Sequence, residues 1–370
     1  MHRVGLTYTL SGPGDRSGDT PRDLHHPLMA LLAAVHDHGS IGGAARALSL
    51  SYRHVWGELK RWEGEFGQAL VLWVKGQRAT LSPFGEKLLW AERRAQARLA
   101  PQIEALRGEL ERAIAIAFDA SAGVITVCAS HDDALPLLRQ LAQAEHKLLL
   151  DVQFTGSVAA LAALNDGRCL LAGFHALTDS PLRSPTARTY RPLLKPGRHK
   201  LVGFARRSQG LIVAAGNPLA LRGLADLQRA GLRFAHRSPG AGTRVVLEEL
   251  LAAQRIELAA IGGLERTEPS HRAVAEAVAS GGADAAFGIE AAARARGLGF
   301  VPLAQEHYFL VTLQPSLAHP HVRTLLALLR SAVWQDALNA LPGYAADRSG
   351  EVLSLRRALP WWTYRKPKRP

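Results

Sequence analysis

The chain has 370 residues, room for two or three domains, and its 47% hydrophobic content is ample for a sizeable core. Forty-five Lys and Arg against 32 Asp and Glu leave a formal net charge of +13, a balance that suits a polyanionic partner such as DNA. The two cysteines, Cys128 and Cys169, lie in apolar runs with no Cys-x-x-Cys spacing, which excludes a cysteine-built zinc site and reads as buried thiols.

Residues 1–23 include the polar stretch SGPGDRSGDTPRD and read as a disordered leader. They lack the basic-then-apolar layout of a signal peptide. No later run approaches the roughly 18 apolar residues of a membrane span, so a cytoplasmic chain with no membrane association is expected.

Residues 24–90 are helical at first. Pro27 opens a helix with Leu28, Leu31, Leu32 and Val35 on one stripe, and Gly39 stops it. Ser40 caps a second short helix, GSIGGAARAL, and Leu48-Ser49-Leu50 forms a turn. Ser51 then caps a third helix, in which Val55, Leu59, Trp62 and Phe66 recur at helical spacing. The opposite face presents Tyr52, Arg53, His54, Lys60 and Arg61. Two short helices joined by a tight turn are the geometry that delivers a reading helix to the major groove. ALVLWV and ATLS flank KGQR as a hairpin, a wing whose tip offers Lys75 and Arg78 to phosphate or the minor groove. Ser40, Ser51, Tyr52, Arg53, His54, Lys60, Arg61, Lys75 and Arg78 are therefore the candidate DNA-contact residues, whereas Trp56 and Trp62 read as packing.

Residues 91–119 form a linker helix. Leu99, Ile103, Leu106, Leu110 and Ile114 make a seam compatible with pairing to a second copy, and Pro101 is expected to kink or interrupt it. From 120 to 345 short β-rich runs (VITVCAS, LLLDVQF, CLLAGF, KLVGFA, GLIVAA, LRFAH, DAAFGI, YFLVTL) alternate with Ala/Leu-rich helical patterns. This predicts α/β layers with a largely parallel sheet. Residues 346–370, ending WWTYRKPKRP, read as a flexible basic tail.

The N-terminal block resembles the DNA-binding domain of LysR-type regulators and, more closely, of the molybdate-responsive ModE type. GSIGGAARAL corresponds to the shared second helix and LSPFGEKLL to the segment leaving the wing. SYRHVW, residues 51–56, is similar to the ModE-type Ser-Tyr-x-x-Ala-Trp, with Val55 in place of Ala. Trp56 departs from the small residue usual in LysR proteins. Leu70-Val71-Leu72-Trp73 likewise departs from the Leu-Phe-x-Arg that follows the third helix in that family.

The block from 120 to 345 resembles a two-lobed, type 2 periplasmic-binding-protein-like domain, a cytoplasmic version of the molybdate-binding-protein fold. Its chain would cross between lobes near 203–215 and return near Gln305. SHDDAL, TGSVAALAALNDG, RSPGAGTR, SHRAVAEAVASGGADAAFGIEAAA and EHYFLV carry the likeness. The fold class is thus an α winged helix-turn-helix plus an α/β two-lobed periplasmic-binding-protein-like domain.

Four hydroxyl residues stand at expected strand-to-helix turns of this block: Ser130, Ser157, Thr243 and Ser270. Each such helix start offers unpaired N–H groups and the positive end of a dipole, so several in one cleft make an anion site. Singly, each is an ordinary cap. Gly242 with Gly240 would let backbone approach a ligand, Arg237 and Arg244 would add charge, and Tyr308 would reach across the cleft. His131 and Asp132 belong to the same loop as Ser130; Asp132 and Asp133 also read as caps. His131, His175, His236, His271 and the Glu306-His307 pair have no spacing that fixes their proximity. No metal site, no cofactor and no catalytic residue is therefore expected.

The reading that follows is a one-component switch: a homodimer binding a double-stranded DNA operator under control of a small anion. The resemblances place molybdate or tungstate first. An organic carboxylate or a phosphorylated cofactor suits the arginines equally, and the remaining alternatives are an enzyme or a solute-binding protein without DNA function.

Overall fold

The computed structural model describes residues 26–73, 78–118, 123–264 and 267–362. The expected leader, Lys75 at the wing tip and residues 363–370 lie outside them. The chain divides into two compact units, residues 1–100 and 101–370.

In the first unit α1 (Pro27–His38), α2 (Ile41–Ala47) and α3 (Tyr52–Phe66) form the helix-turn-helix, and β1 (Val71–Leu72) pairs antiparallel with β2 (Thr80–Leu81) as the wing. The caps act locally. Ser40 Oγ accepts from Gly43 N at 2.9 Å and Ser51 Oγ from His54 N at 3.1 Å. Gly39 and Gly67 end α1 and α3 at φ 61° and 63°, the left-handed region where a side chain is strained. Leu28, Leu32, Val35, Ala44, Val55, Leu59 and Leu70 close the core. Glu63 Oε1 accepts from Leu70 N and Val71 N at 2.8 and 3.2 Å, which ties the first wing strand to α3.

Next comes α4 (Pro83–Phe118), one unbroken helix of 36 residues. The interruption expected at Pro101 does not occur; the ring costs a single backbone donor and the helix continues past it. Of the expected seam, Leu99, Leu106 and Ile114 are exposed.

The second unit runs β3 (Gly123–Ala129), α5 (Ala134–His146), β4 (Leu148–Phe154), α6 (Ser157–Asn165), β5 (Leu171–Leu177), α7 (Pro185–Tyr190), β6 (His199–Val213), β7 (Phe234–Arg237), α8 (Gly242–Ala253), β8 (Thr267–Glu268), α9 (His271–Ala279), β9 (Ala285–Ile289), α10 (Glu290–Arg294), β10 (Gly299–Leu313), α11 (Pro320–Arg330), α12 (Ala332–Asn339), β11 (Tyr344–Ala345), β12 (Val352–Leu353) and α13 (Leu355–Ala358). The sheet order is β4-β3-β5-β10-β6-β9-β7-β8. Lobe one holds the parallel strands β3, β4 and β5. Lobe two holds the parallel strands β7, β8 and β9.

Between the lobes the sheet is not parallel, which corrects the sequence reading. β6 and β10 are antiparallel partners of 15 residues each, running from Gly299↔Val213 to Leu313↔His199 and so through both lobes. KLVGFA and GLIVAA are one strand. The polar Arg206-Arg207-Ser208-Gln209 reads as a break, but the strand buries Arg207 and Gln209 by pairing them across the sheet with Glu306.

A second correction concerns residues 346–362. β11 and β12 pair on β6, and α13 leads to Trp361 and Trp362, both buried in the lobe-one core. Apolar Val352, Leu353 and Leu355 with two tryptophans outweigh the basic residues that suggested a free tail. Among the described residues no helix is long and apolar enough to cross a membrane.

Candidate functional site

Two surfaces carry the candidate residues. On α3, Tyr52, Arg53 and His54 are exposed at the helix start, beside the Ser51 cap. Lys60 and Arg61 are engaged within the helix: Lys60 Nζ pairs with Glu63 at 2.6 Å and Arg61 with Glu58 at 2.6 Å. Lys60 also lies over the rings of Trp56 and Trp73, which meet edge to face at 4.4 Å. Trp56 thus packs, as expected, and joins the reading helix to the wing. Arg78 is exposed, with its stem against Gly39.

The second surface lies where the two lobes meet. α6 begins after Gly156 in lobe one and α8 after Ala241 in lobe two, and neither start has a side-chain cap. They face each other closely. A methyl group on Gly156 would stand 2.8 Å from Gly240 O. One on Gly242 would stand 2.6 Å from His175 Cδ2 and 2.9 Å from Ser157 Oγ. Only glycine permits that approach. Ser157 is wholly buried there, near the Tyr190 hydroxyl, and its own hydroxyl makes no well-formed hydrogen bond among the described residues.

Around these helix starts stand two arginines of opposite circumstance. Arg207, on β6, is 1% exposed and saturated: Nη1 donates to Asp132 Oδ2, while Nε (2.8 Å) and Nη2 donate to Glu306 Oε1. Gln209 Nε2 adds a bond to the same Glu306 oxygen at 2.8 Å, and Tyr344 OH donates to Asp132 Oδ2 at 2.7 Å. Burial opposes the Arg207 charge, but Glu306 and Asp132 hold its pKa well above the usual value. Arg237, at the end of β7, is 4% exposed, and its Nη1 donates to the Glu268 carbonyl at 3.0 Å. Its Nε has no partner. Burial, with Arg207 nearby, lowers its pKa to about 10, against the attraction of the Glu268 carboxylate.

Three histidines share the region and all are held neutral. Burial pushes His175 and His271 well below the usual 6.5, with Arg207 and Arg237 adding to it, and lowers His131 to about 4. Arg207 Nη2 donates to His175 Nδ1 at 3.0 Å, and His175 Nε2 lies 3.2 Å from Ser130 Oγ. With an arginine on Nδ1 the ring proton sits on Nε2. The Ser–His pair therefore lacks the basic nitrogen that nucleophilic catalysis requires. In lobe two Thr243 Oγ1 meets His271 Nε2 at 3.3 Å.

Ser130, Ser157, Arg237, Gly242 and Thr243 thus gather at the opposed lobe edges. The other predicted residues stand differently. Ser270 Oγ caps α9 through Ala273 N at 3.1 Å. Asp132 is consumed by Arg207, Tyr344 and the α5 start, where Ala134 N donates to it at 2.9 Å. Asp133 makes no capping bond, and burial raises its pKa to about 6. Arg244 pairs with Glu248 one helical turn on, at 2.7 Å. His131 packs on the ring of Phe154. Tyr308 lies in the core beneath Arg207, against His175 and Phe204, because its place on β10 is directly opposite His175. Its hydroxyl is buried near Gly173 rather than extended across the cleft.

Sequence reasoning missed Arg207, Gln209 and Tyr344, and set His175, His271 and Glu306 aside. The available signal was a run of charged and amide residues inside an otherwise apolar strand. The histidines do come together, but among the described residues no group of His, Cys, Asp and Glu is arranged to hold a metal ion.

Two lobes joined by two crossing strands, with a polar cluster at the crossing, define a two-lobed binding domain behind a winged helix-turn-helix. The family comparisons agree. Residues 138–330, over half of the chain, match the PBP superfamily domain, and the chain belongs to that family. Residues 27–86 match the bacterial regulatory helix-turn-helix protein of the lysR family. The uncharacterized protein YvgK of Bacillus subtilis (strain 168) is 30% identical over 201 residues, 54% of this chain and 64% of its own length. The chain thus spans just under two thirds of that relative. An uncharacterized protein from the 5′ region of a Clostridium pasteurianum 2Fe-2S ferredoxin gene is 32% identical over 111 residues, 30% of this chain and 98% of that one. Among solved structures, CbnR, a LysR family transcriptional regulator, is 16% identical, with 80% of this chain and 98% of that chain covered at a TM-score of 0.38.

Proposed function

We propose that the chain is a DNA-binding transcriptional regulator of LysR type, switched by a small anion held between the lobes of its binding domain. The observation that carries the anion is Arg237. Breaking a buried ion pair leaves an uncompensated charge at a cost of about 3–5 kcal/mol; Arg237 is a buried cation with no carboxylate in direct hydrogen-bond contact among the described residues, bonded to one carbonyl and only partly offset by Glu268. An anion beside it would also meet the uncapped starts of α6 and α8 and the Ser157 hydroxyl. Binding that is stronger to the closed arrangement of the lobes than to the open one would bias the DNA-reading helices. Molybdate and tungstate are the first effectors to try, on the likeness of SYRHVW to the molybdate-responsive type. A carboxylate is the second reading, because the planar guanidinium of Arg237 matches it in two-point geometry.

The test is thermal unfolding of the full chain with molybdate, tungstate, sulfate, phosphate, formate and succinate. An effector at about 100 times its Kd adds about 2.7 kcal/mol of stability if it binds only the folded state. The reading expects at least one anion to stabilise the protein and to alter its affinity for DNA from upstream of its own gene. No stabilisation by any of the six at millimolar concentration rules out the anion. No salt-sensitive binding to that DNA rules out the regulator.

A further inference from the structure

We infer that His175 is a positioning residue that fixes the direction of the Ser130 hydroxyl, leaving its proton to be donated to an effector oxygen. This rests on the anion reading above and deepens it: it says which hydroxyl of lobe one donates to the anion and what fixes its direction.

A guanidinium has five donors and no acceptor. Arg207 Nη2 is 3.0 Å from His175 Nδ1, so that nitrogen accepts and the ring proton is on Nε2. Nε2 is 3.2 Å from Ser130 Oγ, so the hydroxyl oxygen accepts in turn. The Ser130 proton then has no acceptor among the described residues, although the side chain is buried at the lobe edge. Arg207 cannot turn away to reverse this polarity. Asp132 holds it from the β3–α5 loop and Glu306 from β10, all three at or below 1% exposure. A positive ring at His175 would face Arg207 directly, and the burial that keeps the imidazole neutral acts in the same sense.

The relay therefore runs one way, from Arg207 through His175 to Ser130 and out to the ligand. A bare oxygen of sulfate, molybdate, tungstate or a carboxylate completes it. Lobe two has no equivalent: His271 meets Thr243 through Nε2, but its Nδ1 has no partner, so nothing dictates which way that pair donates.

Two measurements on the full chain test the relay. The first needs no ligand. Long-range ¹H–¹⁵N correlation spectra, with His175 assigned by its loss in His175→Gln, are expected to show a neutral ring protonated on Nε2 between pH 6 and 8. A proton on Nδ1, or a charged ring, overturns the inference. The second uses whichever of the six anions stabilises the protein. Ser130→Ala and His175→Phe are each expected to weaken it by about tenfold or more, the effect of one lost hydrogen bond to a charged group. His175→Gln, whose amide can accept from Arg207 and donate to Ser130, is expected to keep affinity within several-fold. The double variant Ser130→Ala/His175→Phe is expected to lose no more than Ser130→Ala alone. Additive losses would mean that His175 only packs, and would overturn the relay while leaving the anion in place. Absence of binding by all six anions would instead defeat the anion reading, and the donation to the effector with it; the spectrum would still decide the polarity of the relay.

Discussion

The two lobes of the binding domain each bury an arginine beside a histidine and a hydroxyl, yet they use the same residue types oppositely. In lobe one the strand arginine, Arg207, faces two carboxylates, and its charge is used up inside the protein. In lobe two Arg237 has a backbone carbonyl and an idle Nε. A buried charge is tolerable when paired and costly when not. The first arginine is therefore scaffold, fixing the crossing of β6 and β10 and the direction of the Ser130 bond. The second is an unmet demand, and an anion is what would meet it.

Substitution breaks or sharpens this contrast most directly. Arg207→Met leaves Asp132 and Glu306 buried without their cation, and is expected to destabilise the domain by about 3–5 kcal/mol in urea unfolding. Arg237→Met instead removes a buried charge that Glu268 only partly offsets. Without ligand it is expected to unfold at the same or higher urea concentration than the natural protein, but to lose the stabilisation by the anion. If the two variants exchanged these behaviours, the assignment of scaffold and ligand arginine would be reversed.

Acid sharpens the same comparison. His131, His175 and His271 are neutral in the fold, with His131 at about 4 and the other two well below 6.5. The unfolded chain gains those protons as pH falls through the usual 6.5, so stability present above it is lost on acidification. Asp133 acts oppositely: raised to about 6, it holds a proton in the fold that the unfolded chain releases above 3.8. Three protons against one leave a net of about two, or about 2–3 kcal/mol lost from this cluster per pH unit between pH 6 and 5. Asp133→Asn removes the opposing group and should steepen that loss; an unchanged slope would show that Asp133 is ionised in the fold over this range.

A smaller effect tests the closeness of the lobes. Gly242→Ala places a methyl group 2.6 Å from His175 Cδ2 and 2.9 Å from Ser157 Oγ. Overpacking of that kind costs about 1–3 kcal/mol. Because it falls where the lobes touch, it is expected to appear mainly as weakened anion binding, read by calorimetry, with little change in unfolding without ligand. Equal loss in both would mean that the contact belongs to the resting fold.

How much of this was legible in the sequence differs between regions for physical reasons. Helix caps and turns are local: Ser40, Ser51, Gly39 and the α3 stripe follow from neighbours within four residues, and the winged unit was read almost whole. The hydroxyls at strand-to-helix turns were also legible, because a helix start after a strand is a local event. What stayed hidden depends on pairing between distant positions. Arg207 and Glu306 are 99 residues apart, and Tyr344 is 212 from Asp132. A polar run inside β6 reads as a gap until its partner strand is known. Asp132 and Tyr308 erred for the same reason, since Asp132 is claimed by Arg207 and Tyr344 and Tyr308 by packing on His175 and Phe204, neighbours the sequence cannot place.

The winged unit offers the weakest expected effects and the cleanest contrast with the cleft, since its candidate residues are exposed rather than buried. Ser51→Ala removes the acceptor for His54 N and should lower stability by about 1 kcal/mol. It would leave the reading helix frayed at the end where Tyr52, Arg53 and His54 stand. Arg53→Gln is expected to leave stability unchanged and to reduce the slope of log affinity for operator DNA against log salt by about 1, if its charge neutralises one phosphate. Lys60→Gln, by contrast, removes a cation already engaged with Glu63, Trp56 and Trp73, and should change that slope less. Titrations between 50 and 200 mM salt distinguish the two, and equal slopes for Arg53→Gln and Lys60→Gln would mean that pairing within the helix does not decide which cation meets DNA.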